Sequence, residues 1–405
     1  MGTTTTRLDI QGAQVKYSIQ NIIIQAAFCP VTMTSTFLLG RGISSSMVGV
    51  MSLVGNLLAI LIQPSLAKMG DSRRGPTVAQ MLLALSGLTA ASFAAALLSG
   101  FDVLTILFAA MVYMFDMNVI TLANSVSVYY ENRGASMNYG VARGLGSASY
   151  AAVSPILGSL VTSQGSDSIC TLGLVLCLVM AGAMLLLPTP KDVAAVRESA
   201  EAADDEASGD DGSYVSFLRT HPKLVLVVLG CALCFVLENA FGTYAITIVE
   251  SCGGNATDMG WMLALQAILE LPGMFGYKWL ERRFKTSSLL MFSLVGYLLK
   301  GVAFCFATTV PMLFAAYAFQ MVSFAIWMPA SVSYANKFFA ESDKNKAVGL
   351  MAMAMPLSGA FGNFISGILI DALGLRSMIV AVTLLAVAGV VCGRLGIEHE
   401  KEPAA

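Results

Sequence analysis

Hydrophobic residues along this chain fall in long, nearly uninterrupted blocks of about 20 positions, the length that crosses a bilayer core at 1.5 Å of helix rise per residue. Reading between the polar interruptions gives twelve blocks: 16–39, 44–67, 76–99, 102–129, 138–163, 168–188, 222–249, 257–280, 286–308, 310–336, 345–370 and 374–394. A closed barrel would show short segments of alternating polarity, so continuous apolar runs predict helices. The expected fold class is an all-α membrane protein with twelve transmembrane helices.

The one long polar stretch, 189–221, divides the blocks six and six. Between Asp192 and Asp211 it holds eight acids against a single Arg197, a composition that cannot bury apolar surface. The chain therefore divides into a six-helix bundle over 1–188, an acidic linker over 189–221, a second six-helix bundle over 222–394 and a tail over 395–405. The halves echo each other at a shift of 209 residues. Gly140, Ser149, Gly158, Leu160 and Gly165 pair with Gly349, Ser358, Gly367, Leu369 and Gly374, equating the fifth helix with the eleventh. A second echo follows the second and eighth helices, where Pro64 precedes Asp71-Ser72-Arg73-Arg74-Gly75 and Pro272 precedes Glu281-Arg282-Arg283-Phe284-Lys285. Transporters built from repeats place their binding sites near the midplane between them.

Composition agrees with lipid as the main solvent: 56% of residues are hydrophobic and 12% charged, against about 25% charged in soluble domains. Of 23 Lys and Arg, twenty fall on one side of the twelve-helix arrangement, Arg41 and Arg376 on the other, and Lys300 inside a helix. The basic side stays untranslocated, so both termini and the linker are expected in the cytoplasm and the protein in the inner, cell membrane. The first block is too long for a cleavable leader. A net charge of −2 offers nothing to nucleic acid, and a monomer is expected. Cys231 and Cys234 have a Cys-x-x-Cys spacing, but in mid-helix they read as small apolar packing residues. No cofactor and no metal site is expected.

Five ionisable residues lie well inside predicted helices: Asp116, Arg143, Glu238, Glu270 and Lys300. Each would cost about 2.5–3.5 kcal/mol facing lipid at mid-depth, so each should face a cavity or another of the set. Helical spacing collects further polarity on single faces. The first helix aligns Asn21, Gln25, Thr32 and Thr36; the fourth Asp116, Asn124, Ser127 and Glu131; the fifth Arg143, Ser147, Tyr150 and Ser154; the tenth Gln320, Trp327, Ser331 and Tyr334. Hydrogen-bonding side chains mixed with aromatics and few charges suit a neutral polar solute with a ring to stack on. No short loop sets a nucleophile beside a histidine base, and no phosphate-binding Gly-rich Lys-Ser/Thr motif is present, so neither an enzyme nor a primary pump is expected. The 23 methionines keep a drug or metabolite efflux antiporter as the alternative, because flexible thioethers line promiscuous sites.

Two segments carry a resemblance to a known family. Gly70-Asp71-Ser72-Arg73-Arg74-Gly75 resembles, with one extra residue, the acid-plus-basic signature between the second and third helices of the major facilitator superfamily. The fifth helix opens Tyr139-Gly140-Val141-Ala142-Arg143-Gly144-Leu145-Gly146, which resembles the same position in lactose permease-like oligosaccharide:proton symporters and in nucleoside:proton symporters. The resemblance implies the major facilitator fold and proton symport of a sugar, oligosaccharide or nucleoside by alternating access. It also implies gating by Asp71, Arg73 and Arg74, a grip on substrate hydroxyls by Arg143, and ring stacking by Tyr150. The sugar symporters carry an acid on the fourth helix where this chain has Ser125, and a histidine on the tenth that is missing here. Their eighth-helix acid and ninth-helix cation find counterparts in Glu270, which lies nearer the cytoplasmic end, and Lys300. With no intramembrane histidine, Glu270 is the expected proton carrier, Glu238 the reserve and Lys300 the partnering cation.

Overall fold

In a membrane every backbone amide must be satisfied within its own segment, and this chain does so almost entirely as helix. The computed structural model describes residues 12–72, 75–190 and 214–398. The spanning helices of the first half are α1 (Ala13–Gly40), α2 (Ser45–Asp71), α3 (Val78–Leu98), α4 (Asp102–Glu131), α5 (Tyr139–Gln164) and α6 (Asp167–Leu186). Those of the second are α7 (Pro222–Thr243, continued by Ala245–Ser251), α8 (Ala256–Glu281), α9 (Thr286–Phe306), α10 (Val310–Phe338), α11 (Glu341–Leu373) and α12 (Leu375–Gly396). Eleven of them are long and apolar enough to cross a membrane; α8 is long enough, at 26 residues, but too polar to count with the rest. All twelve predicted blocks are found, with ends displaced by a few residues.

Three helices are broken where the apolar pattern runs straight through. α1 bends at Met33, one turn after Pro30, whose carbonyl is taken up by the Thr34 hydroxyl at 3.2 Å. α7 bends at Tyr244. α10 passes through a 3₁₀ turn over Ala318–Met321 and resumes as α-helix at Phe324.

Within the first half α5 and α6 pack on α1, and α3 lies between α4 and α6; within the second, α11 and α12 pack on α7, and α9 lies between α10 and α12. The halves meet through α5 against α8 and α2 against α11. The repeat is physical as well as textual. Ser149 on α5 donates to the Ile22 carbonyl of α1 at 2.8 Å, and its repeat partner Ser358 on α11 donates to the Ala232 carbonyl of α7 at 2.8 Å. Gly158 and Gly367, also partners, are places where the halves come close: a Cβ at Gly158 would strike the Ala256 carbonyl, and one at Gly367 the Ser45 carbonyl. Gly165 and Gly374 end α5 and α11 with φ of 92° and 83°.

The start of α1, the end of α12 and both ends of the linker share one face of the bundle, here called the terminal face. Part of the linker is structured. Tyr129 and Tyr130 at the end of α4 donate to the carbonyls of Pro190 and Pro188 at 2.6 and 2.7 Å, and Thr189 accepts the Ala79 amide at the start of α3. Tyr214–Thr220 forms a short helix whose Phe217 packs on His221 and Phe339. The acidic run expected to stay unfolded lies outside the described residues.

Candidate functional site

The second half holds a closed ionic network at mid-depth. Lys300 of α9, 1% exposed, places Nζ 2.7 Å from Oε2 of Glu238 on α7 and donates at 2.7 Å to Oε1 of Gln320 on α10. The Gln320 amide donates onward at 3.1 Å to Oε1 of Glu270 on α8, and Gln266 of α8 donates at 3.3 Å to Oε1 of Glu238. The Lys300 ammonium also stands 4.9 Å from the ring centre of Tyr317. The break in α10 makes this possible. Gly273 of α8 and Gly296 of α9 lack the Cβ that would strike the α10 backbone at Met321 and Val322, so the 3₁₀ turn carrying Gln320 is pressed between those two helices. Three of the predicted ionisable residues, Glu238, Glu270 and Lys300, are thus brought together with Gln320.

Arg143 and Tyr150 of α5 face this network from the other half. Glu270 lies within electrostatic reach of Arg143, of Tyr150 and of Lys300. Nη1 of Arg143 is buried without a hydrogen-bond partner among the described residues, so one arm of the guanidinium fork stays uncommitted. The Tyr150 hydroxyl meets the Thr32 hydroxyl of α1 at 3.0 Å, and its ring stands 6.0 Å from that of Phe28.

The other predicted substrate contacts are placed differently. Asp116 of α4 is fully buried, with neither carboxylate oxygen hydrogen-bonded among the described residues, and its electrostatic neighbours are Tyr113 and Cys177 rather than Arg143. Asn124, predicted on the same stripe, is exposed, because eight residues along a helix leave the two side chains well apart in angle. Asn21 turns its side-chain amide back to the Tyr17 carbonyl of α1 at 3.0 Å, and Gln25 packs in the α1–α5 contact, where a Cβ at Gly146 would stand 2.7 Å from its Cγ. Trp327 is held inside the second half, its Nε1 donating to the Cys231 sulfur at 3.3 Å and its ring edge-on to Phe235 at 4.5 Å, so it is not free to stack on a solute. The side chains of Asp71, Arg73 and Arg74 lie outside the described residues.

A helical membrane protein of two six-helix halves has known relatives. The model of the MFS_1 like family matches residues 26–381. The chain belongs to that family. Solved structures share the fold at low identity. The nucleoside transporter NupG superposes with a TM-score of 0.77 at 14% identity, covering 94% of this chain and 97% of that one. The peptide transporter POT in complex with sulfate gives 0.69 at 11%, covering 98% and 96%. A bacterial homologue of the human lysosomal transporter Spinster, inward-facing and unoccupied, gives 0.66 at 13%, covering 98% of each chain. No curated protein matches in sequence. Family and fold identify a multi-pass membrane transporter, not an enzyme.

In this MFS_1-like chain a set of hydrogen bonds joins the halves toward the face opposite the termini. Asp371 of α11 accepts from the amides of Ser45 and Ser46 at 3.2 and 2.7 Å and from the Ser46 hydroxyl, so a carboxylate of one half caps the first turn of α2 in the other. Asn363 donates to the Ser52 hydroxyl at 2.8 Å, the Tyr244 hydroxyl donates to the Ser45 and Asn363 carbonyls, and Thr162 meets Thr257 at 3.0 Å. Sequence reasoning passed over Asp371 and Gln266. Asp371 stands in the last turn of α11, where an acid opposes the helix's own dipole, and that unfavourable place is the signal that could have found it.

Proposed function

We propose that the chain is a secondary active transporter of a small polar organic solute, a sugar, oligosaccharide or nucleoside, working by proton symport with alternating access. What supports the solute class is the uncommitted arm of Arg143 beside Tyr150, opposite the carboxylate and amide of Glu270 and Gln320. The guanidinium fork grips two oxygens at once, and an aromatic ring covers the apolar face of a sugar or base. The nucleoside transport named for NupG agrees with that class.

Coupling follows from how the charges are shared. Lys300 is committed to Glu238, while Glu270 has one amide donor and divides its attraction between Arg143 and Lys300. A proton on Glu270 removes its hold on Arg143, whose guanidinium is then free for solute oxygens; its departure restores that hold and expels the solute. The Lys and Arg distribution supports cytoplasmic termini, which makes the present state closed to the outside.

The test is transport in proteoliposomes across a panel of sugars and nucleosides, with and without a pH gradient. Glu270→Gln is expected to abolish uphill accumulation driven by the gradient while leaving solute exchange intact. Normal accumulation by both Glu270→Gln and Glu238→Gln would overturn this coupling.

A further inference from the structure

Asp116 is absorbed by neither the solute site nor the network of the second half. It lies at the midpoint of α4, on the face that also carries Ala109, Val112, Val119 and Ala123, all buried. Its exposure is 0%, and neither oxygen has a hydrogen-bond partner among the described residues. The ionisable groups facing it are Tyr113 of its own helix and Cys177 of α6. α3, which packs on α4, has no ionisable residue; Lys68 and Asp71 of α2, and Lys16 and Tyr17 of α1, lie toward the terminal face. Among the described residues no cation is therefore placed to balance a charge on Asp116.

An isolated carboxylate in such a setting is far costlier than a neutral carboxylic acid, so the site calls for a positively charged ligand. A metal cation needs several oxygen ligands around it. Among the described residues neither oxygen of Asp116 has a hydrogen-bonding neighbour, so such a cage is not assembled there. A proton needs only the carboxylate.

We propose that Asp116 is a proton-binding site of the first half, separate from the network of the second. It takes a proton from hydronium in water, forming an O–H bond on one carboxylate oxygen, and returns that proton to water when rearrangement of α4 against α3 and α2 admits solvent. The solute site then sits between two proton sites, one in each half. This inference stands without the solute and coupling assigned above, because its test requires neither.

The test is infrared difference spectroscopy on the full-length protein in lipid at neutral pH, without solute. The wild type is expected to show the C=O stretch of a protonated carboxylic acid that is absent in Asp116→Asn. Should that variant fail to fold, wild-type protein carrying ¹³C-labelled aspartate reads the same group, since the acids of the second-half network are glutamates. The band should then shift with labelled aspartate and remain unshifted with labelled glutamate. An identical band in wild type and variant, or no shift with labelled aspartate, shows Asp116 ionised and overturns the proposal. Loss of the band on adding sodium chloride would overturn it in favour of a metal cation.

Discussion

The two halves share a scaffold and differ in how they treat buried charge. Ser149 and Ser358 make the same bond to the equivalent helix of their own half, and Gly158 and Gly367 open the same kind of close approach. In the second half, however, Lys300 and Glu238 neutralise each other at 2.7 Å and Gln320 extends the network to Glu270, whereas Asp116 in the first half has nothing among the described residues to neutralise it. The repeat therefore preserves what lets the helices pack and move, while the charges have diverged. A carboxylate that already has a cation can be buried as an ion; one without a cation must find a ligand.

The largest effect separating the halves should come from removing Lys300. Lys300→Met leaves Glu238 buried without a cation, and a loss of about 3–5 kcal/mol of stability is expected, with most of it recovered in the Lys300→Met, Glu238→Gln double variant. Thermal unfolding in lipid would show this, and Asp116→Asn in the same assay should cost far less. Equal costs would break the comparison.

A smaller effect, and one equal in the two halves, is expected from Gly158→Val and Gly367→Val. Each places methyl groups where the backbones meet, at about 1–3 kcal/mol against closure, so solute exchange should slow by about tenfold or more in both. A marked difference between the two variants would show that the scaffold is less symmetric than its hydrogen bonds.

The smallest expected change is that of Asp371→Asn. It weakens a charge-assisted contact on the first turn of α2 by about 1 kcal/mol, shifting the population open at that face several-fold. Distances between spin labels on the adjoining ends of α2 and α11 would record the shift, and an unchanged distribution would leave the closure to the glycines alone.

The apolar blocks announced all twelve helices, because lipid allows a long hydrophobic run no other form. The break at Ala318–Met321 was hidden, since its cause lies in Gly273 and Gly296 on other helices and not in the residues that bend. That break is what carries Gln320 to Lys300. Periodicity set Arg143 and Tyr150 on a face of α5 from which both reach Glu270, whereas on α4 an eight-residue spacing joined buried Asp116 to exposed Asn124. Trp327 shows a different limit: spacing marks a face, not which neighbour occupies it, and Cys231 holds the indole. The two basic residues outside the positive side have a structural reason. Arg41 donates to the Ala96, Leu97 and Ser99 carbonyls at the end of α3, and Arg376 to the Cys305 and Ala307 carbonyls at the end of α9, so each caps the C-terminus of the corresponding helix of its half.

Gln320 has a polarity that neither of its charged neighbours possesses. Its oxygen faces Lys300 and its nitrogen faces Glu270, so the amide accepts from one neighbour and donates to the other. Lys300 keeps the amide in this orientation whatever Glu270 carries, because turning it would set N–H against the ammonium, donor against donor. Under the coupling proposed above, a proton on Glu270 would weaken its contact with the amide while leaving the ion pair between α7 and α9 in place.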